Sequence, residues 1–286
     1  MLKVILFYKY TDIEDTSKFK IEHLSFCNFL GVKGRILVSQ EGINGSVSGT
    51  EDQIENYKFY LSSNPIFKGI EFKEESCLMH PFNKMIIKIK PELVRFEQQV
   101  SCKYSGTHIS PSEFLELSKQ DDAIILDARN SYESKVGKFK NAITPEISLF
   151  REFPKVLSLL EDKKDKKILM YCTGGIRCEK ASAYLKQQGF SQVYQLHGGI
   201  LNFAKEYPDT IWEGKCFVFD KRLLSDVNLQ DNKPITRCNL CNVDCDLYKR
   251  CANPECNELA VICLDCERKF GGCCSSSCFS TIQLLS

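Results

Sequence analysis

Apolar positions fall along this chain in short blocks, each the length of a single element. KVILFYKY reads as a strand. DTSKFKIEHLSFCNFLG places Phe19, His23, Phe26 and Leu30 at helical spacing and ends at Gly31. GRILVSQ and GINGSVSG read as two tightly joined strands, TEDQIENYKFYLSS as a helix capped by Thr50, and IEFKEE as a closing strand. The order β-α-β-β-α-β predicts a ferredoxin-like α+β domain over residues 1–92. Asn44-Gly45 invites a turn, so EGINGS is read as serving a hairpin backbone, with a functional loop as the alternative.

Residues 93–110 keep no sustained period and are read as a linker lying across both neighbours. From 111 to 215 strand and helix patterns alternate. Pro111 opens the helix PSEFLELSKQ, AIILDARN is a strand covered on both faces, and ISLFREFPKVLSLLED is a broken helix. KILMYC, EKASAYLKQQGF, VYQLHGGI and LNFAKEYP follow as strand, helix, strand and helix. The α/β class expected here is a mostly parallel central sheet with helices on both faces, whose chemistry sits on loops at the carboxyl ends of strands.

Composition narrows the function. The 286 residues suffice for two or three domains, and 43% hydrophobic with 26% charged is ordinary globular usage. A net charge of +1 provides no global field for nucleic acid, so any RNA contact rests on local patches, and DKKDKK is read as a solvated turn. The N-terminal apolar run is too short for a signal peptide or a membrane span, which predicts a soluble cytoplasmic protein with no membrane partner. Sixteen cysteines in a reducing compartment then point to metal or catalysis rather than disulfides. Ten of them lie between Cys238 and Cys278, which marks 216–286 as a Cys-rich module.

YCTGGIRCEK carries the sharpest chemistry. Cys172 ends an apolar strand, and Thr173, Gly174, Gly175, Ile176 and Arg177 lead into a helix. The two glycines let amide groups curl inward at a helix N-terminus, which favours a sulfur anion and lowers a thiol pKa. Arg177 adds a fixed positive charge at the rim. Cys172 is therefore the candidate nucleophile, since a merely structural cysteine leaves the glycines and arginine without purpose. Cys178 fits a packing role and a resolving thiol equally, and is taken as accessory.

In the tail, Cys238-x2-Cys241 and Cys263-x2-Cys266 are separated by 21 residues, a spacing that suits a tetrahedral four-thiolate structural zinc site. Cys251, Cys256, Cys274 and Cys278 form a candidate second, interleaved site. Ten cysteines for eight ligands leave the grouping open. Arg237, Lys249 and Arg250 beside them are candidate phosphate contacts.

DARNSYESKVGKFKNA, YCTGGIRCEKASAYLKQQGF and VYQLHGGI resemble the three signature stretches of a rhodanese domain. The resemblance implies a loop from Cys172 to Arg177 that can carry a persulfide, and a supporting role for Asp127 and Arg129. Lys138 stands where many rhodaneses have histidine. GRILVSQEGINGSVSG, YCTGGIRCEK and CANPEC in this order resemble the bacterial rhodanese-related tRNA uridine(34) hydroxylases over nearly the whole chain. That resemblance implies 5-hydroxylation of the wobble uridine of tRNA, with molecular oxygen as co-substrate. The alternative is a sulfurtransferase passing a Cys172 persulfide to a small acceptor, a protein or tRNA; a binding module on an inactive rhodanese fold is the third reading. No Gly-x-Gly-x-x-Gly element suggests a nicotinamide or flavin. One route consistent with the loop is addition of the Cys172 thiolate to C6 of uracil, which raises electron density at C5. EGINGS and KVGKFK are candidate walls of a tRNA groove, and Tyr104 a candidate base-stacking residue.

Overall fold

The computed structural model describes residues 1–283. Its first sheet is built around β1 (Leu2–Tyr10), followed by α1 (Thr16–Leu30), β2 (Lys33–Ser39), β3 (Gly42–Thr50), α2 (Glu51–Ser63), β4 (Glu71–Cys77) and β5 (Met85–Ile89). The strand order is β4-β1-β3-β2-β5, antiparallel except where β5 runs parallel to β2. This is the expected ferredoxin-like order with a fifth strand added at one edge. Both helices start on side-chain caps: Asp15 accepts from the Lys18 amide, and Thr50 and Gln53 form a reciprocal capping box. Gly31 closes α1 at φ 76°, where a residue with a Cβ is strained.

Strand side chains alternate between faces, and here the two faces have different duties. Ile5, Phe7, Ile36, Val38, Ile43 and Val47 point to the helices and bury a core with Cys27, Ile54, Tyr57 and Leu61. The other face is left without helices and turns to the second domain. EGINGS makes no turn at Asn44-Gly45; both lie in the middle of β3, paired to β1 and β2. A side chain at position 45 would put its Cβ 2.7 Å from Phe7 Cζ, so close strand packing demands the glycine rather than a hairpin.

The second domain comprises β6 (Thr107–Ile109), α3 (Pro111–Leu117), β7 (Ala123–Asp127), α4 (Ser131–Ser134), β8 (Gly137–Phe139), β9 (Lys167–Tyr171), α5 (Ile176–Gln187), β10 (Val193–Leu196) and α6 (Gly199–Glu206). Four of these strands form a parallel sheet in the order β6-β10-β9-β7. One face buries Cys178, Ala181 and Leu185 of α5 with Phe150, Phe153 and Val156 of a 3-10 stretch containing Pro154. The opposite face buries Phe114, Ile200 and Phe203. Within the segment read as a linker, Phe96 is wholly buried in the first of these cores, and β6 joins the sheet edge.

The chain continues through β11 (Trp212–Gly214), β12 (Cys216–Phe217), β13 (Leu224–Ser225), β14 (Tyr248–Arg250), β15 (Leu259–Val261), α7 (Leu264–Lys269) and α8 (Ser276–Gln283). β11 pairs with β8 and so ties the Cys-rich module to the sheet domain. Among the described residues no helix is long and apolar enough to cross a membrane.

Candidate functional site

β9 delivers the reactive loop. Four of its five residues, Ile168–Tyr171, are fully buried, so the strand end is fixed, and Cys172 to Arg177 curl from it into α5. Gly175 takes φ 104°, which turns its amide inward to donate to Cys172 Sγ at 3.1 Å. Burial alone would raise the Cys172 pKa. A hydrogen bond from the Cys178 thiol, the Arg177 charge and the Arg177 and Gly175 amides outweigh it and hold the thiol at about 5. Cys178 is wholly buried and pushed up, first by burial and then by the neighbouring thiolate, so it stays a thiol and donates.

Arg177 is buried rather than set at a rim. It makes a bidentate pair with Glu133 of α4, at 2.5 and 2.7 Å, and reaches Thr173 Oγ1 at 3.4 Å. Glu133 compensates the guanidinium, which still lies near enough to stabilise the Cys172 anion. Below the loop, Asp127 and Arg129 form a second buried pair, Oδ2–Nη2 2.6 Å. Arg129 donates to the Gly137 carbonyl, and Tyr171 donates its hydroxyl to Asp127 at 2.7 Å. This network joins β7, β8 and β9 beneath Cys172.

The helix-free face of the first sheet lies over the loop. A Cβ on Gly174 would sit 2.9 Å from Leu6 Cδ2, and one on Gly175 2.9 Å from the Tyr8 hydroxyl. Tyr8 also donates to Glu179 of α5 at 3.0 Å. Between the domains is a cavity of about 460 Å³, within the range of small-molecule sites, walled by Cys172, Arg177, Leu6, Tyr8, Lys73 and Phe219 among others. Cys172 has no exposed surface, so it forms part of the cavity's inner wall and not its mouth. Asn44, Gly45 and Ser46 of EGINGS line this cavity, which makes the motif a cavity wall as well as a strand. KVGKFK does not line it, because Gly137–Phe139 is β8, paired to β11. Tyr104 is 69% exposed and lies outside the cavity lining. Phe219 is an aromatic side chain at the site that sequence reading missed: it is 55% exposed, with its ring 5.6 Å from the Arg177 guanidinium. Tyr8, Lys73 and Glu133 were missed too. Tyr8 and Lys73 carried only the signal of strand alternation, which shows that two residues share a face but not what that face meets, and nothing in the spacing of Glu133 on its short helix points to Arg177.

The tail cysteines gather in two sets. Cys238, Cys241, Cys263 and Cys266 bring their sulfurs within 4.8 Å of one another, and so do Cys251, Cys256, Cys274 and Cys278. Sulfur–sulfur separations include 3.6 Å for Cys241–Cys263, 3.7 Å for Cys256–Cys274 and 3.8 Å for Cys274–Cys278. A tetrahedron with metal–sulfur bonds of about 2.3 Å has edges of about 3.8 Å, so the donor sets fit a four-thiolate metal ion. Amides of Cys263 and Cys274 donate to Cys238 and Cys251 sulfurs, each at 3.4 Å, which further favours thiolates. Cys245 and Cys273 are the two left out of the sets. The neighbouring cations are engaged inside the module: Arg237 with Asp244, Lys249 with Glu267 and Arg250 with the Asn257 carbonyl.

Three family descriptions match the chain: a UPF0176 acylphosphatase like domain at residues 2–93, a rhodanese-like domain at 110–206 and a rhodanase C-terminal at 213–279. A protein of Cytophaga hutchinsonii named tRNA uridine(34) hydroxylase is 43% identical over 96% of this chain and 89% of its own length. Proteins of the same name from Bacillus cytotoxicus and Bacillus thuringiensis are each 44% identical over 96% of this chain and 87% and 88% of theirs.

Proposed function

This chain belongs to the tRNA uridine(34) hydroxylase family, and on that premise we propose that it hydroxylates C5 of the wobble uridine with Cys172 as the reacting side chain. The observation that carries this reading is a thiol held at about 5, hence a thiolate at neutral pH, in the inner wall of a cavity large enough for a splayed nucleoside. Addition of the thiolate to C6 forms a C–S bond and moves the C5=C6 pair toward O4, which leaves C5 electron-rich. Molecular oxygen is the proposed co-substrate: one of its atoms is placed on C5, and the other leaves as water with two electrons and two protons from a two-electron reductant. Within this reading, Arg177, Thr173, Gly174, Gly175 and Ile176 shape the anion cradle, Cys178 donates to the thiolate, and Asp127 and Arg129 hold the strand ends. Phe219, at the cavity beside Arg177, is placed to stack the extruded base. The two cysteine sets are proposed to hold zinc, which supplies folding free energy to a module poor in apolar residues. The proposed location is the cytoplasm, where tRNA and reduced thiols coexist.

The test is mass spectrometry of nucleosides from unmodified tRNA incubated with the protein in air and under argon. A 5-hydroxyuridine formed in air and lost both under argon and with Cys172→Ala is expected. Undiminished hydroxylation by Cys172→Ala removes the thiolate from the mechanism. Sulfur transfer from thiosulfate to cyanide, with no modified tRNA, would favour the persulfide reading instead.

A further inference from the structure

Glu71, Lys73 and Glu75 share one face of β4, since strand residues two apart point the same way. Glu71 is paired with His197 at 2.9 Å and Glu75 with Arg222 at 2.7 Å. Lys73, between them, has no hydrogen bond or ion pair among the described residues; its ammonium stands 5.1 Å from the centre of the Tyr8 ring. It lines the same cavity as Cys172. Burial lowers its pKa, while the negative charges of Glu71, Cys172 and Glu179 push back. A half-buried ammonium without a counter-ion costs desolvation energy that an incoming negative charge can offset.

Two kinds of negative charge arrive with the substrate, backbone phosphate and charge that develops on the base. A backbone phosphate stays at the surface, where an exposed cation suits it, and Arg35 of the same cavity is exposed and likewise without an ion partner among the described residues. Lys73 lies further in, against Tyr8 and toward the thiolate.

We propose that Lys73 is a catalytic residue whose ammonium donates to O4 of uracil as Cys172 adds to C6. The inference rests on the Cys172 reading above and deepens it. In the step, the sulfur lone pair forms the C6–S bond, the C5=C6 π pair becomes the C4=C5 bond, and the carbonyl π pair moves to O4 as an enolate held by the Lys73 N–H. Protonation of C5 by solvent, loss of the original C5 proton and expulsion of the thiolate restore uracil. The cycle is redox-neutral, needs no oxidant, and exchanges the C5 hydrogen.

The experiment is therefore hydrogen exchange at C5 of uridine 34, with the full-length protein and tRNA in D2O under argon, read as a mass gain of the nucleoside. Wild-type protein is expected to exchange, and Cys172→Ala to abolish exchange. Lys73→Met is expected to slow it about 10²–10³-fold, the usual cost of one lost oxyanion donor. The loss should fall in kcat, with KM for tRNA changed by less than about threefold. Lys73→Arg, which keeps the charge, should recover part of the rate. Thiolate absorbance should place the Cys172 pKa of Lys73→Met within about half a unit of the wild-type value. Wild-type exchange with an unimpaired Lys73→Met overturns the Lys73 role alone. So does a loss confined to KM, which marks a phosphate contact, or one matched by a Cys172 pKa shift, which marks electrostatic tuning. No exchange by the wild-type protein, with hydroxylation intact, overturns the C6 addition and the Lys73 role with it.

Discussion

Cys178→Ala removes the neighbouring thiol that, as a donor, does most to lower the Cys172 pKa. A hydrogen bond to a charged group contributes about 1.5–3 kcal/mol. At 1.36 kcal/mol per pKa unit, that is about 1–2 units. The Cys172 thiol, held at about 5 in the intact loop, should therefore move up to about 6–7 in the variant. The direction follows from which form is stabilised: the lost donor served the anion, so ionisation becomes harder. At pH 6 the thiolate fraction should fall from about nine-tenths to between a tenth and a half. Two assays read this: absorbance near 240 nm titrated against a Cys172→Ser reference, and the acid limb of kcat/KM for tRNA. Cys178→Ser, which keeps a donor, should leave both near their wild-type positions. An acid limb for Cys178→Ala that overlays the wild type to within about 0.3 pH units would refute the reasoning and leave Cys178 a packing residue.

The same shift bears on stability. With the folded value of Cys172 below its ordinary 9.0, the thiolate's contribution is complete above pH 9 and is lost as pH falls through about 5, which urea melts across that window will register. Glu133→Gln strands the buried Arg177 without its counter-charge and should cost about 3–5 kcal/mol in urea unfolding, a loss absent if the pair is dispensable. Gly175→Ala forces a Cβ onto a backbone at φ 104° and to 2.9 Å from the Tyr8 hydroxyl; about 1–3 kcal/mol of stability should go, and Tyr8→Phe in the same background should restore only the clash share. Purified protein should carry two zinc ions per chain, and Cys241→Ser should lose one of them while Cys256→Ser loses the other. A single ion retained by both variants would merge the two sets.

The chain by itself determined its elements and its sulfur chemistry, because both are written in local spacing. The period-2 and period-3.6 blocks predict the ferredoxin-like order and the alternating sheet, the Gly174-Gly175 turn predicts an anion cradle, and the C-x2-C pairs announce thiolate ligands. Even there the hydrogen-bond pairing of strands set limits. The edge strand β5 lies beyond the β-α-β-β-α-β order, the sheet edge β6 carries too few residues for a period to declare itself, and Asn44-Gly45 looks like a turn until its neighbours β1 and β2 hold it extended. Only the tertiary structure decided what meets Cys172. Leu6 and Tyr8 approach it across more than 160 residues of sequence, Glu133 neutralises Arg177 from another helix, and Phe219 arrives from the module tied on by β11. Alternation tells Leu6 and Tyr8 to leave their own domain's core, and only the docking of one domain's bare sheet face on the other's loop turns that face into the wall of a site.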